Sequence, residues 1–191
     1  MIDRVQAKEN ARAIMKERLG SAVGADLLST LFSLVPFAYN IASLGLCTYY
    51  IRAVDNERPK AYCIFEGFDN ALRAIGLGLW QALFLLLWTV GPALVLAIIG
   101  ALFHKVTALM IIFYLLAGIC ALLMFIYKDI SYGMAFYVLA DMPQMTIRES
   151  LRTSIELTKG HIWELFVVRL SFLGWDILNG YTANLLALFW L

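Results

Sequence analysis

Two long apolar runs without a charged residue constrain this chain more than any other feature. Residues Ala74–Phe103 and Val106–Tyr127 contain no Asp, Glu, Lys or Arg. About 20 apolar residues in a helix, each rising 1.5 Å, cross a hydrocarbon core about 30 Å thick. Neither run alternates between apolar and polar residues, as the strands of a membrane barrel do. The sequence therefore predicts two membrane-spanning helices.

The composition extends this prediction to the whole chain. Of its 191 residues, 62% are hydrophobic and 15% charged, whereas soluble domains average about 45–50% apolar and about 25% charged. No internal repeat or long linker divides it, so we expect residues 1–191 to form a single all-α integral membrane domain. A net charge of +1 indicates no nucleic-acid partner.

The other segments complete a predicted polytopic bundle of about five to six membrane segments. An N-terminal amphipathic helix is expected over residues 1–19, at the cytoplasmic face or the interface. Residues 20–51 are apolar but split by Pro36, so they form either one kinked span or two short ones. A further span is expected over residues 161–180. Residues 182–191 begin a last span that is either truncated or incomplete.

Positive charges predict the orientation, because cytoplasmic loops next to membrane helices gather Lys and Arg. If residues 20–51 cross twice, thirteen basic residues lie inside and one, Lys105, lies outside, with Arg169 in the bilayer. A single crossing would put six inside and eight outside. The distribution favours two crossings in a bacterial cytoplasmic membrane, with the N-terminus inside.

A short amphipathic helix is predicted near residues 146–160. Thr146 and Glu149 have the spacing of a capping box, in which each side chain satisfies an amide of the first turn. Gly160 suits the position just past the helix end. With about 13 residues the helix is too short to span, and we expect it on the inner interface. It serves either to connect spans or to dock a cytoplasmic partner.

Two charged residues in the apolar C-terminal part are the candidate functional residues, Arg169 and Asp176. An Arg at the centre of a membrane helix costs about 2.5–3.5 kcal/mol. Arg169 therefore extends to the headgroups, pairs with an acid such as Asp26 or Asp129, or lines a substrate or ion path. Asp176 lies seven residues further, about 10.5 Å along the helix, which is too far for a direct ion pair.

No pattern in the sequence indicates catalysis, a metal or a cofactor. His104 and His161 are far apart in the chain, and no zinc-protease, nucleophile-elbow or phosphate-loop motif occurs. The three cysteines are widely spaced and odd in number, so we expect reduced thiols. The sequence therefore predicts no catalytic, metal or cofactor site, and we expect that the chain is not an enzyme.

The C-terminal third carries a combined motif made of Asp141–Pro143, Ser154, Lys159–His161, Phe166 and Ser171–Trp175, with Phe65–Phe68 further upstream. In these elements the chain resembles a bacterial family of integral membrane proteins called domain of unknown function 975. The family is itself distantly similar to the membrane domain of some glycerophosphodiester phosphodiesterases. The resemblance implies about six helices in the cytoplasmic membrane and no established activity. The chain departs from the family by stopping at "LLALFWL".

The sequence thus predicts a non-catalytic membrane protein that acts through contacts with the lipid bilayer or with a membrane or cytoplasmic protein partner. The alternative is a transporter or export accessory protein with a polar path that includes Arg169. Small residues spaced by four, such as Gly20 and Gly24, favour close helix packing. That packing occurs within one chain or between two copies in a homo-oligomer.

Overall fold

Helices make up nearly all of the structure, a computed structural model that describes residues 4–172 except 34, 36 and 56. The described residues contain no strand, in agreement with the predicted all-α class. The elements are α1 (Arg4–Glu17), α2 (Leu19–Ser33), α3 (Ala38–Val54), a 3₁₀ helix (Ala61–Asn70), α4 (Ala71–Leu102), α5 (Thr107–Tyr132), α6 (Ala135–Asp141), α7 (Ile147–Thr158) and α8 (162–172).

The two apolar runs form one long antiparallel hairpin. Helix α4 has 32 residues and α5 has 26, and both are long and apolar enough to cross a membrane. At the tip, the rings of Phe103 and Phe113 stack with centroids 5.5 Å apart. At the other end, Gln81 of α4 donates a hydrogen bond to the carbonyl of Tyr132, at 3.1 Å. The helices thus remain paired from one end to the other.

The shorter helices pack around the open end of this hairpin, which we call the base. One buried cluster combines α3, the start of α4, α5, α6 and α7; its members are Ile41, Leu44, Ala74, Leu77, Tyr132, Ala135, Leu139 and Leu151. A second cluster joins α2, α3 and the 3₁₀ helix through Ala22, Ala25, Ala42, Tyr49, Ala53, Cys63 and Ile64. The buried core of the described residues is therefore concentrated at the base.

Helices α2 and α3, formed by the segment 20–51, do not run beside the outer part of the α4–α5 hairpin. The side chain of Asn40, near the start of α3, lies against Gly78 of α4. From Gly78 to Leu102, α4 continues for about 36 Å. The turn between α2 and α3 is therefore level with the first turns of α4. The structure describes two short helices here, and how many segments cross a membrane stays a prediction.

Some of the small residues pack closely within the chain. A Cβ on Gly24 would lie 3.2 Å from the Cβ of Ala61, and one on Gly78 would meet Asn40 at 2.4 Å. Ala74 is fully buried. Nothing lies within 4 Å of a Cβ added at Gly20, so intramolecular packing uses Gly24 of the predicted pair, and oligomeric state stays a prediction.

Helix α7 begins with the predicted capping box. The Thr146 hydroxyl accepts from the backbone N–H of Glu149 at 3.3 Å, and the Glu149 carboxylate accepts from the Thr146 N–H at 2.8 Å. The bond from the Thr146 N–H, and a second from the Thr146 hydroxyl to the same carboxylate at 2.8 Å, favour the charged form and lower the pKa of Glu149. One face of α7 is buried at the base, while Arg152 and Glu156 form an exposed ion pair at 3.1 Å.

We predict that Gly45→Ala destabilises the base. A Cβ at Gly45 would lie 2.1 Å from the carbonyl oxygen of Ile64, and a backbone cannot move aside as a flexible side chain can. Separating α3 from the 3₁₀ helix should cost about 1–3 kcal/mol, as overpacking usually does. The measurement is the midpoint of denaturation in detergent micelles.

Gly118→Ala is the matched control, because no atom lies within 4 Å of its added Cβ. It should leave stability unchanged or raise it by up to about 1 kcal/mol through helix propensity. An unchanged midpoint for Gly45→Ala would contradict the close backbone contact.

Candidate functional site

Arg169, one of the two candidate residues, forms an ion pair with Asp129. The guanidinium of Arg169 on α8 donates from Nη1 to Oδ2 of Asp129, near the base end of α5. The two side chains are 52% and 38% exposed. Asp129 is one of the two acids that the sequence offered as partners. The second candidate residue, Asp176, lies outside the described residues.

The other proposed partner, Asp26, has a different neighbour. Its two carboxylate oxygens accept hydrogen bonds from the Tyr50 hydroxyl at 3.0 and 3.2 Å. This contact joins α2 to α3 in the base. Asp26 and Arg169 therefore belong to different parts of the structure.

Next to the ion pair, the helical hydrogen-bond ladder is interrupted between α5 and α6. Helix α5 ends at Tyr132 and α6 begins at Ala135, so backbone groups between them lack their usual helical partners. Ser154 of α7 satisfies two of them. Its hydroxyl donates to the carbonyl of Ser131 at 2.8 Å and accepts from the N–H of Met134 at 3.2 Å.

Two further side chains complete this arrangement. Gln81 donates to the carbonyl of Tyr132 at 3.1 Å, and the Thr158 hydroxyl lies 3.5 Å from the carbonyl of Ser131. Ser154 and Thr158 are almost completely buried. The break between α5 and α6 is thus tied to α4 and to α7 by polar side chains in an apolar surrounding.

Gly133 connects the break to the ion pair. A Cβ at Gly133 would lie 3.1 Å from Nη2 of Arg169. The guanidinium therefore lies against the backbone of Gly133 while it pairs with Asp129, one helical turn earlier. Arg169 fixes the position of α8 relative to the α5–α6 break, and we call Asp129, Gly133, Ser154 and Arg169 the junction site.

An apolar groove borders the junction site. It has a volume of about 950 Å³ and runs between α5, α8 and Leu96 of α4; its lining is Leu96, Leu116, Ile119, Cys120, Leu123, Met124, Ile126, Tyr127, Ile130, Ile162, Trp163 and Phe166. A smaller space of about 550 Å³ lies beside Arg169 and is lined mainly by apolar side chains. The described lining of the larger groove contains no charged residue, whereas that of the smaller space contains Asp129 and Arg169.

The charged groups beside these two spaces, Asp129 and Arg169, are paired with each other. Among the described residues, no group of three or more His, Cys, Asp and Glu side chains could hold a metal ion. All three cysteines are free thiols.

Other arginines of the base also hold elements together. Arg52 at the end of α3 forms a bidentate ion pair with Glu66 of the 3₁₀ helix, both bonds measuring 2.7 Å. These bonds raise the pKa of Arg52. The guanidinium of Arg18 donates to the carbonyl of Ala53, and that of Arg73 to the carbonyl of Pro143. Sequence reasoning did not identify these contacts, because their partners are distant in the chain.

One signal for the junction site was present in the sequence. The buried face of α7 carries Ser150, Ser154 and Thr158 beside Leu151. A helix lying on a membrane interface normally buries large apolar side chains on that face. Hydroxyls at spacings of four on a buried face indicate backbone groups of a neighbouring element that need partners.

We predict that Ser154→Ala destabilises the protein by about 1–3 kcal/mol, because two buried backbone groups lose their partner. Thr153→Ala is the matched control, since the Thr153 hydroxyl makes none of the hydrogen bonds to the break. The measurement is the unfolding midpoint in mixed micelles. Equal midpoints for the two variants would show that Ser154 does not support the break.

We also predict that Arg169 and Asp129 are energetically coupled. A double-mutant cycle with Arg169→Gln, Asp129→Asn and the double variant should give a coupling of about 1 kcal/mol, the upper end for half-exposed pairs. The control cycle uses the more exposed pair Arg152 and Glu156, for which about 0.3–0.5 kcal/mol is expected. A coupling no larger than the control would contradict a fixed pair.

Comparison with known proteins identifies the family of the chain. A family model described as "Protein of unknown function (DUF975)" matches residues 17–191, so the chain belongs to this family, as its motifs suggested. No curated protein and no solved structure matches it. The distant similarity to glycerophosphodiester phosphodiesterases finds no support in these comparisons.

Proposed function

We propose that this member of the DUF975 family is an integral protein of the bacterial cytoplasmic membrane. In this proposal the α4–α5 hairpin crosses the bilayer and the base lies at the inner leaflet. The protein acts without catalysis, through contacts of the base with lipid or with a protein partner. The observation that carries the proposal is the outward-facing apolar surface of the hairpin.

That surface is large and continuous. No residue in the most apolar 18-residue stretch of α4 is buried, and 6% of the corresponding stretch of α5 is buried. Leu86, Leu94, Leu115 and Leu123 are each more than half exposed. Monomeric soluble proteins rarely expose contiguous apolar patches of more than a few hundred Å². A hydrocarbon environment accounts for this surface directly.

The distance between the polar ends of the hairpin matches the thickness of the hydrocarbon core of a bilayer. From Thr107 at the tip to Lys128 near the base, α5 rises about 32 Å, compared with about 30 Å for a hydrocarbon core. The Lys128 ammonium lies 4.2 Å from the centroid of the Trp88 ring. Cation–aromatic pairs of this kind suit the headgroup level of a bilayer, where the aromatic ring contacts apolar groups and the ammonium group is hydrated.

The charges supply the orientation. Lys105 is the basic residue at the tip, whereas Arg52, Arg73 and Arg148 contact other residues of the base. Cytoplasmic segments are enriched in Lys and Arg. The charges therefore favour an orientation in which the base faces the cytoplasm and the tip faces the outside of the cell.

The junction site supports a non-catalytic role over the transporter alternative. Arg169 is paired with Asp129 and packed on Gly133, which is what a helix-anchoring residue requires. The contact surface toward lipid or partner would then come from the exposed side of α7 and from the neighbouring base helices. The transporter reading needs Arg169 to face a polar path.

The orientation predicts which residues react with a membrane-impermeant thiol reagent. In a background in which the three cysteines are replaced by Ala, Lys105→Cys should be labelled in intact spheroplasts. Arg152→Cys should be labelled only after the membrane is permeabilised. Both positions are exposed in the structure, so accessibility within the protein is matched.

Extraction completes the test of the proposed function. The chain should stay in the membrane fraction after alkaline carbonate treatment and should leave it only with detergent. Release by carbonate would refute the integral assignment. Labelling of Arg152→Cys in intact spheroplasts would refute the orientation.

A further inference from the structure

We propose that a pocket formed by Arg18 and Arg58 binds the phosphate of an anionic phospholipid headgroup. The pocket has a volume of about 580 Å³ and is lined by Arg18, Gly20, Ser21, Arg58 and Pro59. It lies between the α1–α2 junction and the loop before the 3₁₀ helix. The inference rests on the proposed function, because it places this side of the base at the inner leaflet.

The two guanidinium groups are the reason to assign an anion. Each carries five N–H donors in a planar fork that matches phosphate oxygens. Among the described residues, neither Arg18 nor Arg58 forms an ion pair with a carboxylate, in contrast to Arg52, Arg152 and Arg169. Two like charges that line one concave space are stabilised by an anion between them.

Three contacts hold the Arg18 side of the pocket in place. Arg18 donates one N–H to the carbonyl of Ala53. The hydroxyls of Ser21 and Tyr49 lie 2.7 Å apart. A Cβ added at Gly24 of α2 would lie 3.2 Å from the Cβ of Ala61. These contacts hold α2 against α3 and the 3₁₀ helix, so the position of Arg18 is largely set before a ligand arrives.

An exposed apolar side chain that neighbours the pocket in the chain favours a lipid over a free phosphate ion. Leu19 stands between the lining residues Arg18 and Gly20 and is 58% exposed. A soluble anion would gain no binding free energy from this side chain. A phospholipid contacts it with its glycerol and acyl groups while its phosphate lies between the guanidinium groups.

The test measures binding of fluorescent dioctanoyl phosphatidylglycerol to the full chain in a neutral detergent. Dioctanoyl phosphatidylcholine and inorganic phosphate serve as competitors. The test variant is Arg58→Gln, because Arg58 is exposed and makes no described contact that holds the fold. Lys60→Gln is the matched control, since Lys60 carries the same charge in the same loop and does not line the pocket.

Wild-type protein should bind phosphatidylglycerol more tightly than phosphatidylcholine. Arg58→Gln should weaken phosphatidylglycerol binding about tenfold, through loss of a charge-assisted contact to phosphate. Lys60→Gln should stay within about twofold of wild type. Arg18→Lys, which keeps the charge but not the fork, should also weaken binding.

Three outcomes would overturn the inference. One is equal binding of both lipids, and another is an equal loss for Arg58→Gln and Lys60→Gln, which would indicate diffuse attraction. The third is displacement of the lipid by inorganic phosphate at equal concentration, which would assign the pocket to a soluble anion. Carbonate extraction separates these from a failure of the proposed function, because a chain that stays in the membrane can still fail every binding test.

Discussion

The structure depends on how backbone hydrogen bonds are satisfied where α5 gives way to α6. An apolar environment offers no water to unpaired carbonyl and amide groups, and each such group costs several kcal/mol in lipid. Here Ser154 and Gln81 supply the missing partners at the break. Because those side chains come from α7 and α4, satisfying the break also fixes three helices relative to one another.

The ion pair extends the same arrangement to α8. Arg169 reaches Asp129 and lies on Gly133, so its guanidinium lies beside the break. A charged residue in an apolar helix is tolerated when it has a partner and a nearby polar region. Its contribution is positional: it fixes where α8 leaves the base and where the apolar groove between α5 and α8 begins.

The base and the hairpin differ in how far their apolar side chains are buried within the protein. In the base, buried clusters bring α2, α3, α6 and α7 together, and arginines bind carbonyl groups or acids of neighbouring elements. The hairpin buries few of its own apolar side chains, which suits the hydrocarbon environment that we propose for it. The proposed lipid site lies in the base, where Arg18 and Arg58 line one pocket and the exposed Leu19 adjoins Arg18 in the chain.

Much of the local structure was predictable from the sequence, because its causes act over a few residues. The charge-free runs gave α4 and α5, and the pair Thr146 and Glu149 gave the start of α7 with its capping box. The family was recognised from motifs around α7 and α8, and the family model agrees. Arg169 was singled out because an isolated charge in an apolar run requires a specific solution.

The sequence by itself determined the helical class, the apolar hairpin and the need of Arg169 for a partner. Only the tertiary structure decided that this partner is Asp129, 40 residues away, while Asp26 pairs with Tyr50. It also decided that α3 packs beside the first turns of α4 while α2 packs on α3 and the 3₁₀ helix, and that Arg18 and Arg58 line one pocket. Hydrophobic periodicity and capping act between residues about four apart, whereas these pairings depend on how whole helices pack, which no local pattern encodes.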